Sequence, residues 1–303
     1  MNPWTPLVAA TFGWAAGSVL TRAVLLRGVN TWTVIPLRML FALISLAAVI
    51  VATRRFWTTD LRAWRRGLVL GTLAMGVPMV LMTLAFEDLP VSLGGLLVAL
   101  IPLSTIGAAH FLVEGERFQA RTLPGMLLAL VGSALLVGAG GSAEGVDNLW
   151  RGVVLMVAGV LAAGIGGALS RRYALEVPSD DLVLPQFSVN TVLVAVALPL
   201  VFGFDVETVD PASWWMIAGV GVLGTTLAFG SFLVAAGINP ASRLALISYA
   251  IPVLSVLLAV VFLGESLTLM MIAGAVLILV GVVLAERFTS THVPEPGVAT
   301  ATP

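Results

Sequence analysis

No cysteine and no lysine occur among the 303 residues, and histidine and tyrosine appear only twice each. Without cysteine, disulfides, thiol nucleophiles and thiolate metal sites are excluded. All 15 basic side chains are arginines, the net charge is −1 and no large basic cluster exists, so nucleic acid is not an expected partner. Charge of either sign is scarce, at 10% of residues, against about a quarter in a soluble domain. No Asp or Glu falls in the middle of an apolar run. A carrier exchanging lipophilic cations for protons would want such a buried carboxylate, so simple multidrug antiport is disfavoured. A single arginine inside an apolar run is too little for a dianionic phosphate substrate. Enzyme signatures are missing too: neither H-E-x-x-H nor G-x-S-x-G occurs, and the close pair Asp180 and Asp181 lies in a loop. GVGVLG (219–224) matches G-x-G-x-x-G but sits inside an apolar run without the strand-turn-helix context of a dinucleotide site, and it reads as helix packing. No cofactor and no metal is expected.

What the chain has in abundance is apolar surface: 59% hydrophobic residues and a mean hydropathy of +1.07. A single soluble core cannot hide that much. The apolar residues fall into runs near the length of about 20 residues that an α-helix needs to cross the hydrocarbon. Ten spans follow, near 7–26, 32–53, 67–86, 91–113, 122–140, 152–170, 182–202, 213–236, 244–263 and 268–285. The runs are continuous rather than alternating, which favours helices over a barrel. The first run lacks a basic flank and an A-x-A cleavage pattern, so it reads as a retained helix.

Arginines set the orientation. With the N-terminus in the cytoplasm, Arg54, Arg55, Arg62, Arg65, Arg66, Arg117, Arg121, Arg171, Arg172, Arg243 and Arg287 lie inside, against Arg22, Arg27 and Arg151 outside. Both termini are therefore expected to be cytoplasmic, in an integral protein of a bacterial-type inner (plasma) membrane. The loop RRFWTTDLRAWRR (54–66) reads as an interfacial topology anchor on membrane lipid. The tail after Arg287 is rich in Pro and Thr and reads as disordered.

The chain also repeats itself. IPLSTIGAAHFLVEGE (101–116) and IPVLSVLLAVVFLGE (251–265) both run from Ile-Pro to Gly-Glu. At an offset of 150, Gly71, Pro90, Ser92, Ile101 and Pro102 pair with Gly221, Pro240, Ser242, Ile251 and Pro252. At an offset of 149, Pro36, Glu116, Gly125 and Gly132 pair with Pro185, Glu265, Gly274 and Gly281. Five spans per copy is an odd number, so the second copy inserts upside down, and inverted repeats supply the two arrangements that alternating access requires. The expected units are 1–143 and 144–286, with 287–303 as the tail.

Ten spans in a five-plus-five duplication, the LRML stretch containing Arg38, and the proline-to-Gly-Glu pattern closing spans four and nine resemble the EamA family of the drug/metabolite transporter superfamily. The likeness covers about residues 5–287. It implies a basket-like, all-α fold whose cavity is lined mainly by spans 1, 3, 4, 6, 8 and 9, and export of amino acids or other small metabolites. The second half places Phe187 where Arg38 stands, so any role of the arginine belongs to one half.

Seven of the eight tryptophans fall at span ends, as an interfacial belt would have them. Trp14 alone is mid-span, and with Thr11 and Ser18 it forms a mixed polar and aromatic face that points to a cavity; a buried Trp bonded to a carbonyl is the plain alternative. Gly13 and Gly17 form a GxxxG helix contact. Met75, Met79 and Met82 make a stripe that the repeat maps onto Thr225, Phe229 and Phe232, which is either packing or an adaptable binding wall. Tyr249, one turn before Pro252, is positioned to bond a substrate or to satisfy a freed carbonyl. Arg38 is a binding candidate as an intramembrane ion, or else snorkels to headgroups or bonds loop carbonyls. His110 reads as interfacial, and Gln186 with Asn190 as interhelical glue. The expected function is secondary export of a small neutral or zwitterionic solute, an amino acid with an apolar side chain being one such solute. An intramembrane enzyme acting on a lipid-like substrate and a non-transporting scaffold or sensor are the alternatives. Oligomeric state is not readable from the sequence.

Overall fold

The computed structural model describes residues 2–54, 57–113, 120–140, 148–174, 176–207, 209–238 and 241–289. Residues 115–116, which carry the first Gly-Glu pair, and the tail from 290 lie outside them. Among the described residues the chain is all-helical. Ten antiparallel spans follow the ten apolar runs: α1 (Trp4–Leu26), α2 (Thr31–Thr53), α3 (Leu61–Val69) continuing into α4 (Val77–Asp88), α5 (Val91–Val98) with α6 (Ile101–Leu112), α7 (Leu123–Gly140), α8 (Leu149–Ala174), α9 (Ser179–Thr191) continuing into α10 (Leu198–Phe202), α11 (Pro211–Gly221) continuing into α12 (Ala228–Ile238), α13 (Ala241–Leu263) and α14 (Leu269–Thr289). Among the described residues, seven of these spans are long and apolar enough to cross a bilayer, and α7, α13 and α14 contain shorter apolar stretches. Large apolar side chains such as Val8, Ile44, Val51, Val154, Leu200 and Val276 are exposed around the outside. Such a surface is tolerable only against lipid.

Helix starts are set by local capping. Asn30 accepts from the Trp32 amide, Asp60 from Arg62 and Asp210 from Ser213, each satisfying an amide that the first helical turn leaves free. The cap at Asp60 starts the third span at Leu61, six residues earlier than its apolar run, because Trp64 and three arginines are helical without being membrane-buried in composition. The last span likewise runs to Thr289, past the expected boundary at 286. Pro102 interrupts the fourth span between α5 and α6, whereas α13 stays helical straight through Pro252. The repeat thus has one broken and one continuous copy of this span.

Two-fold symmetry is written in the glycine contacts. A Cβ on Gly125 would lie 2.5 Å from the Gly281 carbonyl oxygen, and one on Gly132 would lie 2.7 Å from that of Gly274. The offset of 149 exchanges these two contacts, since it carries Gly125 to Gly274 and Gly132 to Gly281. An axis therefore passes between α7 and α14. A second exchange relates the Gly17–Gly224 contact between α1 and the eighth span to the Gly166–Ala74 contact between α8 and the third. Contacts that map onto each other with partners swapped are what two inverted five-helix repeats produce.

Three spans carry a π-helical segment: Leu70–Gly76, Val192–Ala197 and Val222–Leu227. The first and third occupy equivalent places in the repeat. A π turn widens the helix and releases carbonyls from the regular ladder, and it is often found at functional sites.

Candidate functional site

Between the repeats lies a cavity of about 570 Å³, within the range of small-molecule sites. It is lined from all the spans the resemblance implied and, in addition, from the second and seventh, which bring Arg38, Leu182, Val183, Gln186 and Phe187. At one end it reaches Ser170 and the exposed Arg171 of α8. At the other it stops at Thr21, Thr83 and Phe86.

The closed end is built from hydrogen bonds. Arg22 Nη1 donates to the carbonyls of Phe86 at 2.5 Å and Glu87 at 2.7 Å, placing a cation on the negative C-terminal end of α4. Arg151 donates to Glu87 at 2.7 Å and Asp88 at 2.9 Å, and Thr31 bonds Glu87. Gly264, at φ 68°, ends α13 in the left-handed conformation that glycine takes without strain. Glu265 then reaches across to the other repeat, where its two oxygens accept the amides of Val91 at 2.7 Å and Ser92 at 2.8 Å at the N-terminus of α5. The recurring Gly-Glu pair thus has a physical role in its second copy: it stops one helix and caps another. Nearby, Arg27 and Asp210 pair at 2.5 Å. That hydrogen bond, aided by Ser213, holds the Asp210 carboxyl below the usual carboxylate range and raises Arg27.

Of the sequence-derived candidates, Trp14, Ser18, Arg38, Met75, Met79, Met82, Thr225, Phe229 and Phe232 all line the cavity. Trp14 meets Phe229 edge-on at 5.3 Å and Phe232 at 5.6 Å, so the first span and the eighth share one aromatic wall. Phe229 also meets Phe187 edge-on at 6.0 Å. Thr11 is not among the lining residues: it is buried and its hydroxyl donates back to the Leu7 carbonyl. Tyr249 is helical, but its side chain lies outside the described residues.

Arg38 turns into the cavity rather than to an interface, and its Nε donates to Thr225 Oγ1 at 3.0 Å. Thr225 in turn donates to the carbonyl of Val220, five residues back near the end of α11. One residue on, Thr226 donates to the Ala42 carbonyl at 2.8 Å and bonds Ser45 at 2.7 Å. The widened turn of one repeat is therefore stitched to α2 of the other. The GVGVLG stretch is packing, as its setting implies: a Cβ on Gly221 would lie 2.6 Å from the Arg38 carbonyl oxygen and one on Gly224 2.7 Å from the Gly17 Cα.

Gln186 differs from its reading as interhelical glue, for it lines the cavity. Asn190 is buried, with Nδ2 directed at Met39 Sδ across the helix contact. Thr21, Thr83, Phe86, Thr105 and Phe187 line the cavity without having been singled out as site residues. Phe187 alone carried a signal, since the repeat aligns it with Arg38. Among the described residues no cluster of His, Asp and Glu is placed to hold a metal.

Sequence and structure comparisons extend this picture. The profile of the EamA-like transporter family matches residues 6–138 and again 150–287. A "Probable amino-acid metabolite efflux pump" of Salmonella typhimurium is 27% identical over 64% of this chain and 66% of that protein. A "Probable terminal-alkyne amino-acid exporter" of Streptantibioticus cattleyicolor is 31% identical over 72% of each chain. An uncharacterized transporter, YvbV of Bacillus subtilis, is 26% identical over 80% of this chain and 78% of its own length. One solved crystal structure superposes with a TM-score of 0.62 over 93% of this chain and 97% of that one. At 21% identity that likeness speaks to the fold alone.

Proposed function

The chain belongs to the EamA-like transporter family, and on that premise we propose that it exports small neutral or zwitterionic metabolites, amino acids with apolar side chains foremost, by alternating access. The observation that carries this is the cavity itself: both repeats line it, it opens at one end and hydrogen bonds close the other. Its walls are mainly apolar and, among the described residues, its lining includes no Asp or Glu, which suits a solute without net positive charge. The names of the amino-acid exporters among its relatives favour the same class. Trp14, Ser18, Met75, Met79, Met82, Phe229 and Phe232 would form the walls against the solute, with Arg38 and Thr225 as its polar contacts. The units 1–143 and 144–286 would rock about the α7–α14 axis. With both termini in the cytoplasm of a plasma membrane, the open end bearing Arg171 faces inward, ready to load.

Flux of a labelled metabolite panel into and out of proteoliposomes tests the reading. Counterflow of at least one apolar amino acid is expected, with weak dependence on an imposed pH gradient because the lining has no carboxylate among the described residues to carry a proton. Absence of flux for every small metabolite, or a strict proton-to-solute ratio, would overturn it.

A further inference from the structure

We propose that Arg38 is the carboxylate anchor of the site and that the cavity selects short monocarboxylates with an apolar tail, whether or not they carry an α-amino group. This rests on the transport reading above and specifies what its site recognises. Three observations carry it.

The first is charge. Among the described residues, Arg38 and Arg171 are the charged residues of the lining, which includes no Asp or Glu. Arg171 stands at the exposed mouth, where water screens it. Arg38 lies within the span, and its Nε is held by Thr225. Its terminal Nη groups meet no acceptor among the described residues. An arginine inside a membrane protein is costly unless an anion or aligned acceptors compensate it. With Nε engaged, the remaining Nη1/Nη2 edge of a planar guanidinium still matches a carboxylate bidentately.

The second is the broken symmetry. The repeat carries Arg38 to Phe187 and Thr225 to Met75, and all four line the same cavity. One side thus presents a cation and a hydroxyl, whereas its symmetry mate presents a phenyl ring and a thioether in one buried cluster. The site has a polar pole and an apolar pole.

The third is spacing. Phe229, where the contacts of Trp14 and Phe187 meet, follows Thr225 by four residues across the end of the π segment, a rise on the order of 5–6 Å. A carboxylate on Arg38 places the tail of a five- or six-carbon acid against that aromatic group, on an order-of-magnitude reach set by the same rise. An ammonium group would find only neutral acceptors such as the Gln186 amide, so it contributes less than the carboxylate.

Four probes sharing one branched tail test this on the purified full chain: leucine, 4-methylpentanoate, leucinol and 3-methylbutylamine. Ligand-induced shifts in melting temperature give their relative affinities. Leucine and 4-methylpentanoate are expected to bind within about threefold of each other, and leucinol and the amine at least about tenfold more weakly, the loss of one charge-assisted pair. Arg38→Gln should weaken both acids by at least about tenfold and leave the two non-acids unchanged, with Arg38→Lys recovering part of the loss. Equal binding of acid and alcohol, preference for the amine, no binding of either acid, or acids indifferent to Arg38→Gln would each overturn the proposal. The wild-type comparison decides the matter even where Arg38→Gln does not fold. Counterflow of leucine separates the two readings: acids that bind without flux sink transport and spare the anchor, while equal flux of leucine and leucinol sinks the anchor and spares transport.

Discussion

Gly224→Ala is the sharpest probe of how the two halves meet. The added Cβ would lie 2.7 Å from the Gly17 Cα of the other repeat, whereas carbon atoms rest at about 3.5–4.0 Å. Neither partner is a flexible side-chain end, so the helices must separate by roughly 1 Å or strain. Overpacking of this kind costs about 1–3 kcal/mol. Gly230, in the same span, has no heavy atom within 4 Å of the position a Cβ would take. Gly230→Ala should therefore gain about 0.5–1 kcal/mol from helix propensity alone. Opposite shifts in melting temperature are expected from the same chemical change one turn and a half apart. Separation at Gly224 also draws the neighbouring Thr225 away from Arg38, so binding in the cavity should weaken along with stability. Equal melting of the two variants, or Gly224→Ala melting at or above the wild type, would refute the close crossing.

Trp14→Ala removes two aromatic contacts worth about 0.5–1.5 kcal/mol each but opens onto space already present, so it should destabilise less than the 3–5 kcal/mol typical of a Trp or Phe emptied from a packed core. Flux should fall far more than melting temperature; early melting with normal transport by the surviving protein would make Trp14 a packing residue. For Asp210 the depressed carboxyl contributes stability that is present above its unfolded value, about 4, and lost as pH falls through the lower folded one. The melting difference between wild type and Asp210→Asn should thus be constant from about pH 5 to 8 and close below about pH 4; a difference that changes near neutrality would assign it to another group. A reporter fused after Thr300 should be cytoplasmic and one inserted at Ser142 external, and the same side for both would mean an odd error in the number of spans.

The spans were legible because a run of apolar residues needs no tertiary context to demand a bilayer, and because caps such as Asp60 and Asp210 act within four residues. The glycine repeats were legible for a similar reason: Gly125, Gly132, Gly274 and Gly281 keep their spacing when a helix face must approach another backbone. The π segments were not. Leu70–Gly76 and Val222–Leu227 share little sequence, and the widened turn depends on partners such as Ala42 and Ser45 on a distant span. The direction of Arg38 was hidden likewise, since helical periodicity gives a residue's azimuth only relative to its own helix. Thr11 shows the converse limit. It shares a helical stripe with Trp14 and Ser18, yet burial and its bond to the Leu7 carbonyl leave it outside the lining.

Symmetry is retained in the backbone and given up in the side chains, and the two facts have different causes. Two arrangements of near-equal energy require that helix crossings survive the exchange of halves, and glycine crossings do so because they involve main-chain atoms on both sides. A solute with a polar head and an apolar tail has no such symmetry. A cavity lined by two identical halves would offer it two heads or two tails, each leaving a polar group unpaired or an ion facing hydrocarbon. Arg38 with Thr225, and Met75 with Phe187 at the symmetry-equivalent places, would resolve this: each pole takes one residue from each repeat, and the exchange of halves turns the polar pole into the apolar one. Converting Phe187 to arginine should then harm binding more than it harms folding around the glycine crossings, because it replaces the site's apolar pole with a second cation while leaving the α7–α14 and α1–α12 contacts untouched.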